Sequence, residues 1–468
     1  MYDINVKVRI NKITLRDFKS VKNGTININA SDCLHQEKAS ITGIYGQNGS
    51  GKTVIIEALD IIKHIMCGEK IPNEYLSIIA YGKNECHIEV EFIVSTSVTD
   101  CVVIYKCILA GRDDPNTNSF IKDSLKAKSN ITIIEECLSA RGSAFGEKII
   151  LQDIASTNEK CALMEPSSKI RVLFGYDKEV IRKLEKQKIL ALYGSRSFIF
   201  SVQALEAFDL KNNQNWAQIL ILSLMIYANT KLVTISSPKY DKYMLNFFKQ
   251  TSKGFMRPYC LEFDIINDSE KAFIPEQDFP IFEQILSSLN IVLSSIIPGL
   301  TIKMEYETQT QHDNTKAYHI ELFSHREELG TFPFRYESLG IKRIVSFLSC
   351  LISAYNDPSF TLVIDEMDSN IFEHLLGVML DIMKNSGKGQ LIFTSHNLRP
   401  LEGLDGNSVF FTTTDNENQY VQMAKKGTNN LRDMYLRAIS LGYKDIELYN
   451  GDSENAISYA FRQAGRIE

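Results

Sequence analysis

The chain has 468 residues, too many for one compact core, so one large or two smaller domains are expected. Apolar residues make up 44% and charged residues 23%, the mix of an ordinary soluble globular protein, and the net charge of -6 argues against a chain that coats nucleic acid over its whole surface while leaving room for a local basic patch. The nine cysteines include no C-x-x-C pair and no His/Cys cluster, which favours reduced thiols in a cytoplasmic protein over a disulfide frame or a zinc site.

Met1 to Asn11 carries charges every few positions and lacks the apolar stretch of a signal peptide. Ile13, Leu15 and Phe18 then alternate as in a half-buried strand. Ser40 to Tyr45 reads as a buried strand, a glycine-rich turn follows, and Val54 to Ile62 has the pattern of an amphipathic helix. Ile88, Val90 and Phe92 alternate with Glu89 and Glu91, and Cys101–Leu109 and Ile131–Leu138 look like antiparallel strands. From about Asn158 to Leu300 the predicted elements are helices: Lys178–Leu192, Ala204–Ala228, Tyr240–Gln250 and Phe279–Ile296. No sustained heptad predicts a coiled-coil arm. The most apolar run, Trp216–Ala228, holds Gln218 and falls short of the roughly 20 residues a bilayer span needs, so it reads as a buried helix and no membrane partner is expected. From Thr301 the order returns to strand, helix, strand, helix, and its fully apolar runs predict strands buried on both faces, as in a parallel sheet flanked by helices. Arg432 to Arg437 and the tail to Glu468 read as helical. The expected divisions are 1–157, 158–300 (a helical insertion), 301–425 and 426–468.

The turn Gly46-Gln47-Asn48-Gly49-Ser50-Gly51-Lys52-Thr53 matches G-x-x-x-x-G-K-[ST]. Glycines let the backbone turn and approach phosphate oxygens closely, and their N–H groups then form an anion nest at a helix N-terminus. Lys52 is placed to reach the outer phosphates of ATP, and the Thr53 hydroxyl to ligate Mg²⁺. Gly46, Asn48, Gly49, Ser50, Gly51, Lys52 and Thr53 are therefore the expected nucleotide-binding residues. The flanking strand and helix are what separates this turn from a chance match.

Thr361-Leu362-Val363-Ile364 is an apolar, β-branched run ending in Asp365-Glu366. Such a strand delivers an acid to the carboxyl edge of a sheet, where phosphates sit. Asp365 is expected in the Mg²⁺ shell, and Glu366 is expected to polarise the attacking water. Glu337-Ser338-Leu339-Gly340 precedes an apolar helix, Ile344–Ala354, so Ser338 and Gly340 either face a second phosphate group or form an ordinary N-cap. Ser395-His396-Asn397 follows the strand Gln390–Thr394, where His396 either bonds a phosphate or the lytic water, or is structural. Asp368 either lies across a dimer seam or caps a helix.

Together these residues resemble the ABC-type ATPases of the SMC and RecF kind. The likeness runs from Ile13-Thr14-Leu15-Arg16-Asp17-Phe18-Lys19-Ser20 through the G-x-N-G-x-G-K-T turn to Ser338, Gly340, Asp365-Glu366, Asp368 and His396. It is most similar to the bacterial AAA_15 and AAA_21 group, which includes the ATPase half of OLD-type proteins. The resemblance implies an α/β fold, an ABC-type P-loop head with a mixed sheet and an antiparallel β lobe, and a helical insertion between the Walker A turn and the signature. It implies a homo-oligomer whose heads dimerise around two ATP molecules, with Ser338 and Gly340 acting in trans and His396 as a switch histidine. It also implies a slow ATPase controlling a separate effector, a nuclease or toxin, as in anti-phage systems such as PARIS or Septu. The signature lacks the paired glycines of transporter subunits, and no glutamine is clearly the Q-loop residue. The residues after His396 are too few for an added nuclease domain of ordinary size. Competing readings are a RecF-like repair ATPase with DNA on a basic groove of Lys169, Arg171, Arg182, Lys183, Lys186 and Lys188 (charges that read more simply as a solvated helix face), a transporter subunit, and a non-hydrolysing ATP-bound scaffold.

Overall fold

The computed structural model describes residues 6–112, 130–208, 215–236, 242–250, 256–264, 272–310, 316–413, 415, 419–423, 430–441 and 454–464. Strands β1 (Lys7–Phe18) and β2 (Val21–Asn27) form a hairpin, and helix α1 (Ser31–His35) leads to β3 (Ser40–Tyr45) and α2 (Lys52–Met66). Four antiparallel strands follow: β4 (Glu85–Ser95), β5 (Thr99–Arg112), β6 (Asn130–Ala144) and β7 (Glu147–Asn158). Helices α3 (Ser168–Phe174), α4 (Lys178–Tyr193), α5 (Val202–Glu206) and α6 (Trp216–Thr230) lead into β8 (Leu232–Ile235). Then come β9 (Lys242–Gln250), β10 (Met256–Asp264), β11 (Ala272–Pro275), α7 (Phe279–Ile296), β12 (Leu300–Thr310), β13 (Lys316–Arg326) and β14 (Gly330–Pro333). The last part holds α8 (Leu339–Asn356), β15 (Thr361–Ile364), α9 (Glu373–Ser386), β16 (Gln390–Thr394), α10 (Pro400–Gly403), β17 (Val409–Thr412), β18 (Tyr420–Val421), α11 (Leu431–Leu441) and α12 (Glu454–Ala464).

Two six-stranded sheets organise these elements. The first is antiparallel, in the order β2-β1-β4-β5-β6-β7. The second runs β18-β17-β3-β16-β15-β8, parallel throughout except for the edge strand β18. Strands β3, β15 and β16 are buried at every position, the polar Ser40, Thr42, Thr361, Gln390 and Thr394 included, as strands covered on both faces must be. One face of the parallel sheet meets α2 and α6 in a core shared with the antiparallel lobe. The other face meets α7, α8, α9 and the sheet of β11, β12 and β13. This is the expected α/β head, a mostly parallel sheet beside an antiparallel β lobe.

Buried polar groups join the two sheets. Arg9 on β1 is fully buried; its Nε donates to the Pro358 carbonyl at 3.0 Å and a terminal nitrogen donates to the Lys388 carbonyl. The Gln390 side chain accepts from the Ile10 N–H at 3.0 Å and donates to the Ile10 carbonyl at 2.7 Å. These bonds fix the base of the parallel sheet against β1.

Several helix expectations need correction. Tyr240–Gln250 is not helical where described: Lys242–Gln250 is a strand paired antiparallel with β10. Its Tyr and Phe content suits a strand, and pairing with a partner beyond the local window decided the outcome. Ala204–Ala228 is not one helix, because Ser201 caps α5 and Asn215 caps α6, each accepting backbone N–H bonds. The stretch 158–300 also supplies β8, the edge strand beside β15 in the parallel sheet. The expected helix at Arg432–Arg437 lies within α11, whereas 442–453 and 465–468 fall outside the described residues. Among the described residues one helix, Glu276–Ile296, is long and apolar enough to cross a membrane by length and composition; Phe282, Leu289 and Leu293 of that helix are buried in the second core.

Candidate nucleotide-binding site

The site forms where three parallel strands end. β16 lies between β3 and β15, so the turn after β3 and the acids after β15 emerge at the same sheet edge, one strand apart. The turn from Gly46 to Gly51 needs glycine. Gly46, Gly49 and Gly51 all have positive φ, at 154°, 76° and 98°, and Gly51 opens α2 in the left-handed region. A side chain at Gly46 would strike Thr412, whereas beside Gly49 there is open space. Asn48 and Gly49 are exposed, and Ser50 is buried. The Ser50 hydroxyl donates to the Gln47 carbonyl at 2.6 Å and meets the Thr412 hydroxyl at 2.5 Å.

Lys52 is 7% exposed, and its ammonium donates to the carbonyls of Gly46 and Gln47, each at 2.8 Å. Burial lowers its pKa to about 8, while the carboxylates of Asp365, Glu366 and Asp368 pull it back up. Three acids and the lysine thus share one electrostatic neighbourhood. The Thr53 hydroxyl donates to Asp365 Oδ1 at 3.2 Å, directly linking the turn to the strand tip.

Asp365 is fully buried, and the same Oδ1 accepts from the Thr394 hydroxyl at 2.5 Å. Thr394 Oγ1 in turn accepts the Glu366 N–H at 2.8 Å. Glu366 takes φ 45°, an uncommon conformation for a non-glycine residue. Asp368 Oδ2 accepts the backbone N–H groups of His396 and Asn397, at 3.0 and 2.9 Å. Asp368 is therefore a bracket for the His396 loop within this chain. His396 itself is exposed.

Ser338 is exposed and is the N-cap of α8, its Oγ accepting from the Ile341 N–H at 3.3 Å. Gly340 abuts the turn after β15: a Cβ there would lie 2.4 Å from the Asn370 carbonyl oxygen. The structure shows the N-cap, pressed against the acidic turn.

Sequence reasoning missed several supports. Tyr420 donates to the Gly51 carbonyl at 2.7 Å and the Gln419 amide to the Ser50 carbonyl at 3.2 Å, so an edge strand far along the chain braces the turn. No local pattern announces them. Thr394 had a signal, a hydroxyl directly after the apolar Leu391, Ile392 and Phe393 and just before Ser395 and His396. Of the proposed basic groove, Arg171, Arg182, Lys183 and Lys186 are exposed, but Lys188 is 2% exposed and donates to the Asn158 and Cys161 carbonyls, so it is removed from that set.

The residues present fit ATP and a hard cation. The turn is a nest with its ammonium bonded inward, and Thr53 with Asp365 offers two oxygen donors. Among the described residues no group of three or more His, Cys, Asp or Glu could hold a metal alone. Two protein oxygens suit Mg²⁺, which takes its remaining ligands from phosphates and water. Mg²⁺ bound there would neutralise charge developing on the phosphates.

Fold and site together have the form of a P-loop nucleotide-binding head, with the phosphate turn after β3 beside the acids after β15. A family model described as an AAA domain (AAA_23) matches residues 12–227, which is not one of the AAA_15 and AAA_21 subgroups suggested by the sequence. No curated protein matches the chain at a significant level. The chain is similar to the Smc head domain with an extended coiled coil bound to the C-terminal domain of ScpA, from Pyrococcus furiosus (12% identity, 89% of this chain and 96% of that one, TM-score 0.41). It is also similar to the SMC head domain from Thermotoga maritima (14% identity, 89% and 100%, TM-score 0.32). A third likeness is to the recombination mediator RecF in the RecFOR pathway (10% identity, 89% and 99%, TM-score 0.35).

Proposed function

We propose that the chain binds and hydrolyses ATP with Mg²⁺, and that it works as a switch. The observation that carries this reading is the contact between Thr53 and Asp365, which brings the phosphate turn and the acidic strand tip to one place. In this reading Lys52 and the amides of Gly46–Thr53 hold the phosphates, and Thr53 and Asp365 orient the cation. Glu366 accepts a proton from water as that water attacks the terminal phosphorus, and the bond from that phosphorus to the bridging oxygen breaks to release ADP and phosphate. His396, on the loop held by Asp368, contacts the outer phosphate. Ser338 and Gly340 of a second copy close over the same nucleotide, so ATP draws two heads together and hydrolysis releases them.

The test compares the purified chain with Glu366→Gln. The variant is expected to bind ATP with wild-type affinity, to lose turnover by at least about 10²-fold, and to accumulate as an ATP-bound dimer. Normal turnover in the variant would remove Glu366 from its role. No hydrolysis by the wild type, with tight ATP binding, would leave a scaffold rather than an enzyme.

The finer assignment rests on the sequence resemblance: the switch controls a separate nuclease or toxin in anti-phage defence. A gene for such an effector beside this one supports it, and its absence across related loci counts against it. The exposed Arg171, Arg182, Lys183 and Lys186 favour a second reading, a repair ATPase that holds DNA. Salt-dependent retention on plain duplex DNA without a partner would favour that second reading.

A further inference from the structure

Arg343 stands on α8, one turn past Gly340, and is only 5% exposed. One of its terminal nitrogens donates to the carbonyl of Asp365 at 2.6 Å and to the carbonyl of Glu366 at 3.2 Å. A single nitrogen bridging two consecutive carbonyls fixes the orientation of the peptide between them. The other side of that peptide is held as well, by the Glu366 N–H bond to Thr394. Glu366 therefore sits in its left-handed conformation between a guanidinium from α8 and a hydroxyl from β16. Such a conformation is unfavourable for a residue with a Cβ, so it persists only where its surroundings enforce it.

A purely packing role does not account for an arginine here. Among the described residues its buried Nε has no hydrogen-bond partner, a cost that methionine or leucine in the same space would not carry. Burial also works against its charge, which Asp365, Glu366 and Asp368 favour in return. The first turn of the same helix touches the far end of the acidic turn, where Gly340 meets the Asn370 carbonyl.

We propose that Arg343 is a positioning residue for Glu366, transmitting the placement of the Ser338–Gly340 end of α8 to the carboxylate that activates water. The proposal rests on the ATPase reading and adds to it a route within one chain: a nucleotide engaged by the start of α8 and the water attacking the other nucleotide are coupled through one guanidinium.

The test uses the full chain with Arg343→Met and Arg343→Lys. Three quantities are read: kcat, the affinity for a non-hydrolysable ATP analogue, and hydrogen exchange of the Met367 and Ser369 amides without nucleotide. Arg343→Met is expected to lower kcat on the order of 10²-fold, the usual cost of misplacing a catalytic group by about 1 Å, with affinity changed less than about threefold. Arg343→Lys keeps a donor for one carbonyl and is expected to fall between the two. Exchange at Met367 and Ser369 is expected to rise about tenfold in Arg343→Met, as local opening of the turn becomes easier, while exchange in α4 stays the same. Wild-type kcat and exchange in Arg343→Met, or equal losses in kcat and affinity, would overturn the proposal. If Arg343→Met does not fold, Arg343→Lys decides: a roughly tenfold lower kcat at unchanged affinity supports the role, and unchanged kcat with unchanged exchange refutes it. Should the wild type bind ATP without hydrolysing it, the ATPase reading fails, and exchange in the nucleotide-free protein still decides whether Arg343 holds the turn.

Discussion

Lys52 shows how the site is tuned one residue at a time. Burial brings its pKa from 10.5 to about 8 in the nucleotide-free protein, against the pull of three carboxylates. Phosphates favour the charged ammonium, so binding above pH 8 requires taking up a proton. ATP affinity is therefore expected to weaken as pH rises through about 8, approaching tenfold per pH unit, which calorimetry at several pH values would detect. A pH-independent affinity from 7 to 9 would show that the ammonium does not hold phosphate. The same shift acts on stability with a definite sign. Between about pH 8 and 10.5 the folded chain binds fewer protons at this site than the unfolded one, so this group's effect on stability improves as pH rises across that window. The glycines, lysine and acids of the site were legible in the sequence because each obeys a local rule: a loop before a helix, or an acid after an apolar strand. Thr412, Gln419 and Tyr420 were not, because their only signal is a contact with a turn more than 350 residues earlier.

Among the elements, β1 deserves comparison with β9. The alternation of Ile13 and Leu15 with Thr14 and Arg16 reads correctly as a strand because in that half of β1 one face is buried and the other is not; Phe18 is buried three residues on, after Asp17 with its φ of 51°. At Lys242–Gln250 the composition suits either element, and only pairing with β10 decides. β1 also carries Arg9, whose burial lowers its pKa to about 10. Replacing it by leucine strands the Pro358 and Lys388 carbonyls at the seam between the two sheets. The variant is expected to lose about 2–3 kcal/mol of stability, read as a lower denaturant midpoint with an unchanged slope. An unchanged midpoint would mean the seam is held by Gln390 and the apolar core alone. Neither Arg9 nor Gln390 advertises this role locally, since the partners lie at the opposite end of the chain.

At the scale of the whole molecule, the chain leaves and re-enters the parallel sheet several times. It supplies β3 early, β8 in the middle, and β15, β16 and β17 late, while the antiparallel lobe takes β1 and β2 before the first visit and β4 to β7 between the first two. The order of motifs along the sequence predicted this α/β arrangement, because the acids can serve the phosphate turn only if the later strands return beside β3. What the sequence hid is the role of β8, a four-residue strand inside a stretch that reads as helical. The central claim is that a single nucleotide occupies the place where these visits converge. A crystal structure of Glu366→Gln grown with ATP and Mg²⁺ tests it most directly. The account predicts phosphates cradled by Gly46–Thr53 with the metal beside Thr53 and Asp365; nucleotide bound elsewhere, or phosphates in the turn with the metal remote from Asp365, would contradict it.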